Sequence, residues 1–89
     1  MPRLAVQITV SDFEIWRESF DADQADRDKA GMRDVKVYCN ADDDTDVTVV
    51  GETDDPQKVI AAIRSPQWRQ KMSERGVEGE PKFFIAQPA

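Results

Sequence analysis

Leu4, Val6, Ile8 and Val10 alternate with Ala5, Gln7 and Thr9, so every second side chain of residues 4–10 is aliphatic. In an extended chain those four residues share one face. The segment is a strand with a wholly apolar side that another layer has to cover. The pattern then changes at once. Ser11 followed by Glu14 has the form of a capping box, and Phe13, Trp16 and Phe20 fall at i, i+3 and i+7, the spacing of one helix stripe. This predicts a helix from Ser11 to a left-handed stop at Gly31. Its polar second half, DADQADRDKA, would be held by docking and by an Asp23 to Arg27 pair at i+4.

Val35, Val37 and Cys39 alternate with Lys36, Tyr38 and Asn40, predicting a second strand over 35–40, and the β-rich run 47–53 predicts a third. The intervening NADDDTD reads as a turn, because Asn and Asp side chains bond their own backbone two residues on. Asp54 or Asp55 with Pro56 opens a second helix whose inward face is Val59, Ile60 and Ile63. Ser65-Pro66 kinks or restarts that helix, which continues through Trp68 and Met72 to a stop at Gly76. A short last strand covers 82–87, with Phe83 and Ile85 on one face and Phe84 on the other. The order βαββαβ predicts an α+β, ferredoxin-like domain: a four-stranded antiparallel sheet with two helices on one face. Its other face, carrying Val50 and Phe84 among polar residues, meets either water or a second subunit.

Composition narrows the function. Twelve basic and eighteen acidic residues leave a net charge of -6, and a field of that sign repels phosphate backbones and anionic lipid. Nucleic acid and membranes are therefore not expected partners, and a cytoplasmic location is expected. The absence of histidine excludes Ser-His-Asp and Cys-His catalysis and most catalytic zinc sites, and the single cysteine excludes a disulfide framework. Leu, Ile, Val and Phe total only 19 of 89 residues, a thin core for one domain spanning residues 1–89. A homodimer would complete its burial.

The residues that recur in this order also carry a resemblance. Val10-Ser11-Asp12-Phe13, Trp16, Phe20-Asp21, Arg27, Gly31, Val37-Tyr38 leading into Asn40-Ala41-Asp42-Asp43, Glu52, Asp54-Asp55, Ser65-Pro66, Gly76-Val77 and Glu80-Pro81 span nearly the whole chain. In these stretches the chain resembles the dimeric α+β barrel superfamily, which contains the antibiotic biosynthesis monooxygenases and related polyketide cyclases. It is most similar to small single-domain members with cyclase-like labels. The resemblance implies two protomers pairing their sheets into a barrel. It also implies a pocket between sheet and helices for a small aromatic ligand, lined by Ile8, Trp16, Phe20, Val37, Cys39, Trp68, Met72 and Phe83. No cofactor is expected. Relatives often place a histidine where this chain has Ile8, so a histidine acid/base role does not carry over. Asn40 and Trp16 match the residue types that surround such pockets.

Several other groups invite chemistry. The run Asp42, Asp43, Asp44, Asp46 suggests a cation loop, but counting from Asp42 puts Val47 at the sixth position and Thr53 at the twelfth, where a calcium loop needs Gly and Glu. It is read as a solvated turn, with no metal site. Trp16 is expected to pack within its stripe, whereas Trp68, after a kink where a groove or a subunit contact can open, is equally a packing residue or a surface for stacking an aromatic ligand. Cys39 reads as a small buried hydrophobe. Tyr38 is an acid/base candidate by type, and Arg17 and Arg33 could neutralise an anionic substrate.

Overall fold

The aliphatic alternation of the first strand is spent on the middle of a sheet. In the computed structural model, which describes residues 2–89, Leu4, Val6, Ile8 and Val10 are all buried. Their strand, β1 (Arg3–Val10), is followed by α1 (Phe13–Ala22), α2 (Gln24–Lys29), β2 (Arg33–Asn40), β3 (Asp43–Glu52), α3 (Pro56–Ile63), α4 (Pro66–Glu74) and β4 (Val77–Ala86). The strands form one antiparallel sheet in the order β2-β3-β1-β4, which is the ferredoxin-like βαββαβ arrangement with each helical layer segment broken in two.

Register sorts the side chains. Val37, Val49, Val6 and Phe83 lie opposite one another across the four strands on the helix-covered face. Lys36, Val50, Ala5 and Phe84 form a corresponding row on the open face, flanked by Tyr38, Thr48, Gln7 and Lys82. Tyr38 and Phe84 are well exposed there.

The first helical segment differs from the expected single helix over 11–31. Asp12, not Ser11, caps α1 by accepting the Ile15 N–H at 3.1 Å, while the Ser11 N–H donates to the Gly76 carbonyl at 2.8 Å. The helix then breaks at Asp23, whose φ of -95° and ψ of 15° leave the helical range. The polar α2 buries no residue, so nothing apolar forces it to continue the axis of α1. The second break occurs at Ser65-Pro66 as expected. Ser65 Oγ accepts the Trp68 N–H at 3.4 Å, and Pro66 occupies the first turn, where its missing donor costs nothing. Asp55 caps α3 by accepting the Lys58 N–H at 3.1 Å.

Two strands are longer than their apolar runs. β3 begins at Asp43 and leaves Ala41 and Asp42 between the strands. Asn and Asp side chains hold this tight connection: Asn40 Oδ1 accepts the Asp42 N–H at 2.9 Å, and Asp43 Oδ1 accepts from the Thr45 N–H at 3.0 Å and from the Thr45 hydroxyl at 2.6 Å. Those two bonds from Thr45, the hydroxyl's first, lower the Asp43 pKa. β4 begins at Val77 rather than Lys82, and its pairing with β1 shifts register between Gln7 and Thr9. The extra residues Gly79, Glu80 and Pro81 form the irregularity, and Gly and Pro had hidden the strand. Cys39 is exposed, correcting its expected burial. It sits near the end of the edge strand β2, most of which is exposed.

Gly31 and Gly76 end the two helical segments at φ values of +87° and +86°. A Cβ at Gly31 meets nothing within 4 Å, whereas at Gly76 it would lie 2.5 Å from Ser11 Oγ. Gly31→Ala is expected to lower unfolding free energy by about 1 kcal/mol and Gly76→Ala by about 2–3 kcal/mol, from the left-handed backbone plus the clash. Urea denaturation checks both, and Ser11→Ala should recover part of the Gly76→Ala loss only.

Candidate functional site: a cavity between sheet and helices

The two helix breaks leave the roof of the sheet incompletely packed. Beneath it lies a cavity of about 130 Å³. Val6, Ile8 and Val49 form its floor, Trp16 and Phe20 of α1 one wall, Val59, Ala62 and Ile63 of α3 another, and Trp68 and Met72 of α4 a third. The stripe on α1 arranges its rings deliberately closely. Trp16 and Phe20 have centroids 4.9 Å apart at 31°, and Phe13 lies 6.1 Å beyond Trp16, within the range of favourable offset contacts.

Charged groups reach the same wall from α2 and the end of α4. The Asp23 carboxylate pairs with Arg75 and, at 3.7 Å, with Lys71, which also bonds Asp26 at 3.1 Å. These ion pairs dock α2 on α4. They replace the expected Asp23–Arg27 pair. Arg27 instead donates to the Phe20 carbonyl and lays its guanidinium 3.6 Å from the Phe20 ring centroid. Burial pushes the Arg27 pKa below its ordinary value, against Asp21 and Asp28, which favour the charge. On the far side of Phe20, Arg27 and Met32 runs a polar groove edged by Arg17, Asp21 and Val37.

Of the residues expected to line a pocket, Ile8, Trp16, Phe20, Trp68 and Met72 meet at this cavity. Val37 faces the polar groove instead, Cys39 is exposed, and Phe83 packs at the core edge with the Arg64 guanidinium 5.0 Å from its ring centroid. The acid/base candidates also lie elsewhere. Tyr38 is on the open sheet face, and Asn40 donates to Asp46 at 3.3 Å, where Gln7 donates at 2.9 Å. Arg33 bonds Asp54 at 3.1 Å and Arg17 bonds Asp21 at 3.2 Å. Among the described residues no three His, Cys, Asp or Glu side chains converge on a metal position.

Arg27, Asp23 and Arg75 were not anticipated at the cavity. A signal for two of them existed: Phe13, Trp16, Phe20, Asp23 and Arg27 continue one stripe at alternating spacings of three and four. Charged residues on an otherwise apolar stripe mark a place where the buried face turns polar.

No protein-family model matches the chain, and no curated protein matches it. Solved structures do. One named as an antibiotic biosynthesis monooxygenase superimposes with a TM-score of 0.71 at 6% identity, covering 100% of this chain and 99% of that one. A Bordetella bronchiseptica protein with a provisional name of the same kind gives 0.78 at 11% identity, covering 99% and 96%. SnoaB, a cofactor-independent oxygenase from Streptomyces nogalater, gives 0.68 at 14% identity, covering 99% and 94%. The chain thus has the ferredoxin-like fold of the antibiotic biosynthesis monooxygenase structures over its full length.

The Asp23 cluster predicts a stability difference. The Asp23 side chain is 14% exposed and Asp54 is 75% exposed, although both pair with arginine. Asp23→Asn is expected to cost about 1–2 kcal/mol and Asp54→Asn less than about 0.5 kcal/mol. Denaturation measures the difference, and amide exchange should quicken over 24–29 in the Asp23 variant alone.

Proposed function

We propose that the protein binds a small aromatic molecule in the cavity and acts on it as a cofactor-independent monooxygenase or cyclase. The observation carrying this reading is the cavity itself, with two tryptophans and a phenylalanine on its wall. The shared fold with SnoaB supports the reaction class by analogy. In such chemistry the substrate stabilises its own carbanion, so the protein's part is to hold the ring, exclude water and admit oxygen. A second reading, a non-catalytic binding module, is favoured by one observation: Tyr38, Asn40 and Cys39 all lie away from the cavity, and the Asp23 carboxylate is engaged by Arg75 and Lys71. Ligands that raise the melting temperature separate the two, since turnover consumes oxygen or converts the ligand and mere binding does neither. Ala62→Leu, which fills part of the cavity, should reduce the thermal shift by more than half without unfolding the protein.

Residues 1–89 act in this reading as one dimeric α+β barrel domain in the cytoplasm, with its partner a second copy of itself. Support comes from the open sheet face, where Phe84 is 68% exposed at the end of a row with Ala5 and Val50. Among the described residues no helix is long and apolar enough to cross a membrane. Light scattering should give a mass near twice 10.1 kDa. Phe84→Glu should shift it toward one protomer at micromolar concentration, and a wild-type mass of one protomer at all concentrations would overturn the dimer.

A further inference from the structure

α2 covers one side of the cavity without an apolar anchor of its own. Arg27 and the two cap residues, Asp23 and Ala30, line the space, yet none of the six residues of α2 is buried. The other helices are held by side chains that leave water: Trp16 on α1, Val59 and Ile60 on α3, and Met72 of α4 against the same core. α2 is attached by charge. Lys71 bonds Asp26 at 3.1 Å and approaches Asp23 at 3.7 Å, Arg75 pairs with Asp23, and Arg27 donates to the Phe20 carbonyl while stacking on the Phe20 ring.

Both ends of the segment suit a hinge. At Asp23 the backbone leaves the helical range, and at Gly31 φ is +87°. A Cβ at Gly31 would meet nothing within 4 Å, so that end stands in open space. Rotation at these two points moves α2 without moving α1 or β2.

We propose that α2 is an ionically latched flap: Lys71 and Arg75 hold it against the cavity wall, and loss of those pairs swings it away, uncovering the space beside Trp16 and Phe20 while the sheet and the other helices stay folded. Detached, a helix of six residues is too short to persist, so its amides lose protection as it opens. The motion belongs to the empty protein. Its use, to admit or release an occupant, rests on the reading of the cavity as a ligand site.

Salt separates the latch from general loosening. The Debye length falls from roughly 30 Å at 0.01 M salt to roughly 3 Å at 1 M, which weakens partly exposed ion pairs and spares apolar burial. The chain's net charge of -6 repels itself, so the same salt steadies the fold as a whole. α2 and the core should therefore respond in opposite directions.

Amide exchange of the full chain is followed by NMR from about 0.01 to about 1 M sodium chloride. Over 26–31 it should become about fivefold faster, while the Val59 and Ile60 amides hold or slow. Acrylamide quenching is measured in Trp68→Phe, where Trp16 is the only indole, and its constant should about double over the same range. Lys71→Met keeps the stem and removes two of the pairs, so its 26–31 amides should exchange quickly at low salt and respond less to added salt. Exchange over 26–31 that ignores salt, or that follows Val59 and Ile60, would overturn the latch. Faster exchange with no rise in Trp16 quenching would overturn the flap, because α2 would then fray without uncovering the cavity. If Trp68→Phe does not fold, exchange of the Trp16 indole N–H in the wild type reads the same access. No ligand is present in these measurements, so their failure leaves the ligand-site reading standing, and a cavity that binds nothing leaves the flap standing.

Discussion

Burial of one face of β1 is the constraint on which the rest of the molecule depends. β1 is central and bonded on both edges, to β3 and to β4, so its backbone groups are paired whatever its side chains do. The side chains then decide which face is covered. Leu4, Val6, Ile8 and Val10 each gain about 1.5–3 kcal/mol from leaving water, and only a helical layer on their side supplies that. A one-residue slip of β1 would send all four to the open face and Gln7 and Thr9 to the core. The helices follow from this requirement, since α1 and α3 present Trp16, Val59 and Ile60 to the strand. β2 lies two positions away at the edge, and its cover is correspondingly poor.

That hierarchy explains what could be read from the residues alone. Alternation and capping are local, so β1, the Asp55 cap and the Ser65-Pro66 restart were visible in the chain. The break at Asp23 was not. It depends on Arg75 and Lys71, which are about fifty positions away in sequence and reach Asp23 only once α4 has docked. The exposure of Cys39 is hidden from the sequence for a related reason. Alternation tells which residues share a face, but not how far along an edge strand the covering layer extends. In β4, Gly79 and Pro81 mimic the end of a strand, and only the register opposite β1 shows that pairing continues past them.

The same distinction applies to the cavity. Its large residues, Trp16, Phe20, Trp68 and Met72, are conspicuous because aromatic and sulfur side chains stand out in a chain with so few apolar residues. Val37 and Phe83 lie in the same cross-strand row as Val6 and Val49, but on the two edge strands, so sharing a face did not bring them to the cavity wall. Arg27 escaped notice because its isolated position says surface, whereas the stripe to which it belongs says wall.

The cavity also has an energetic consequence for the whole fold. A pocket of about 130 Å³ leaves its apolar lining without packing partners on one side, which forfeits dispersion contacts that a filled core would make. Collapse would recover them, and three features oppose collapse. The ion pairs of Asp23 fix α2 to α4, the Ser65 cap fixes the start of α4, and the Ser11–Gly76 backbone bond fixes the start of α1 to the end of α4. None of the three lies on the cavity floor, so the space is maintained from its rim. A rim held by polar contacts around an apolar interior is the arrangement in which an occupant stabilises the fold by filling the space rather than by rearranging the protein.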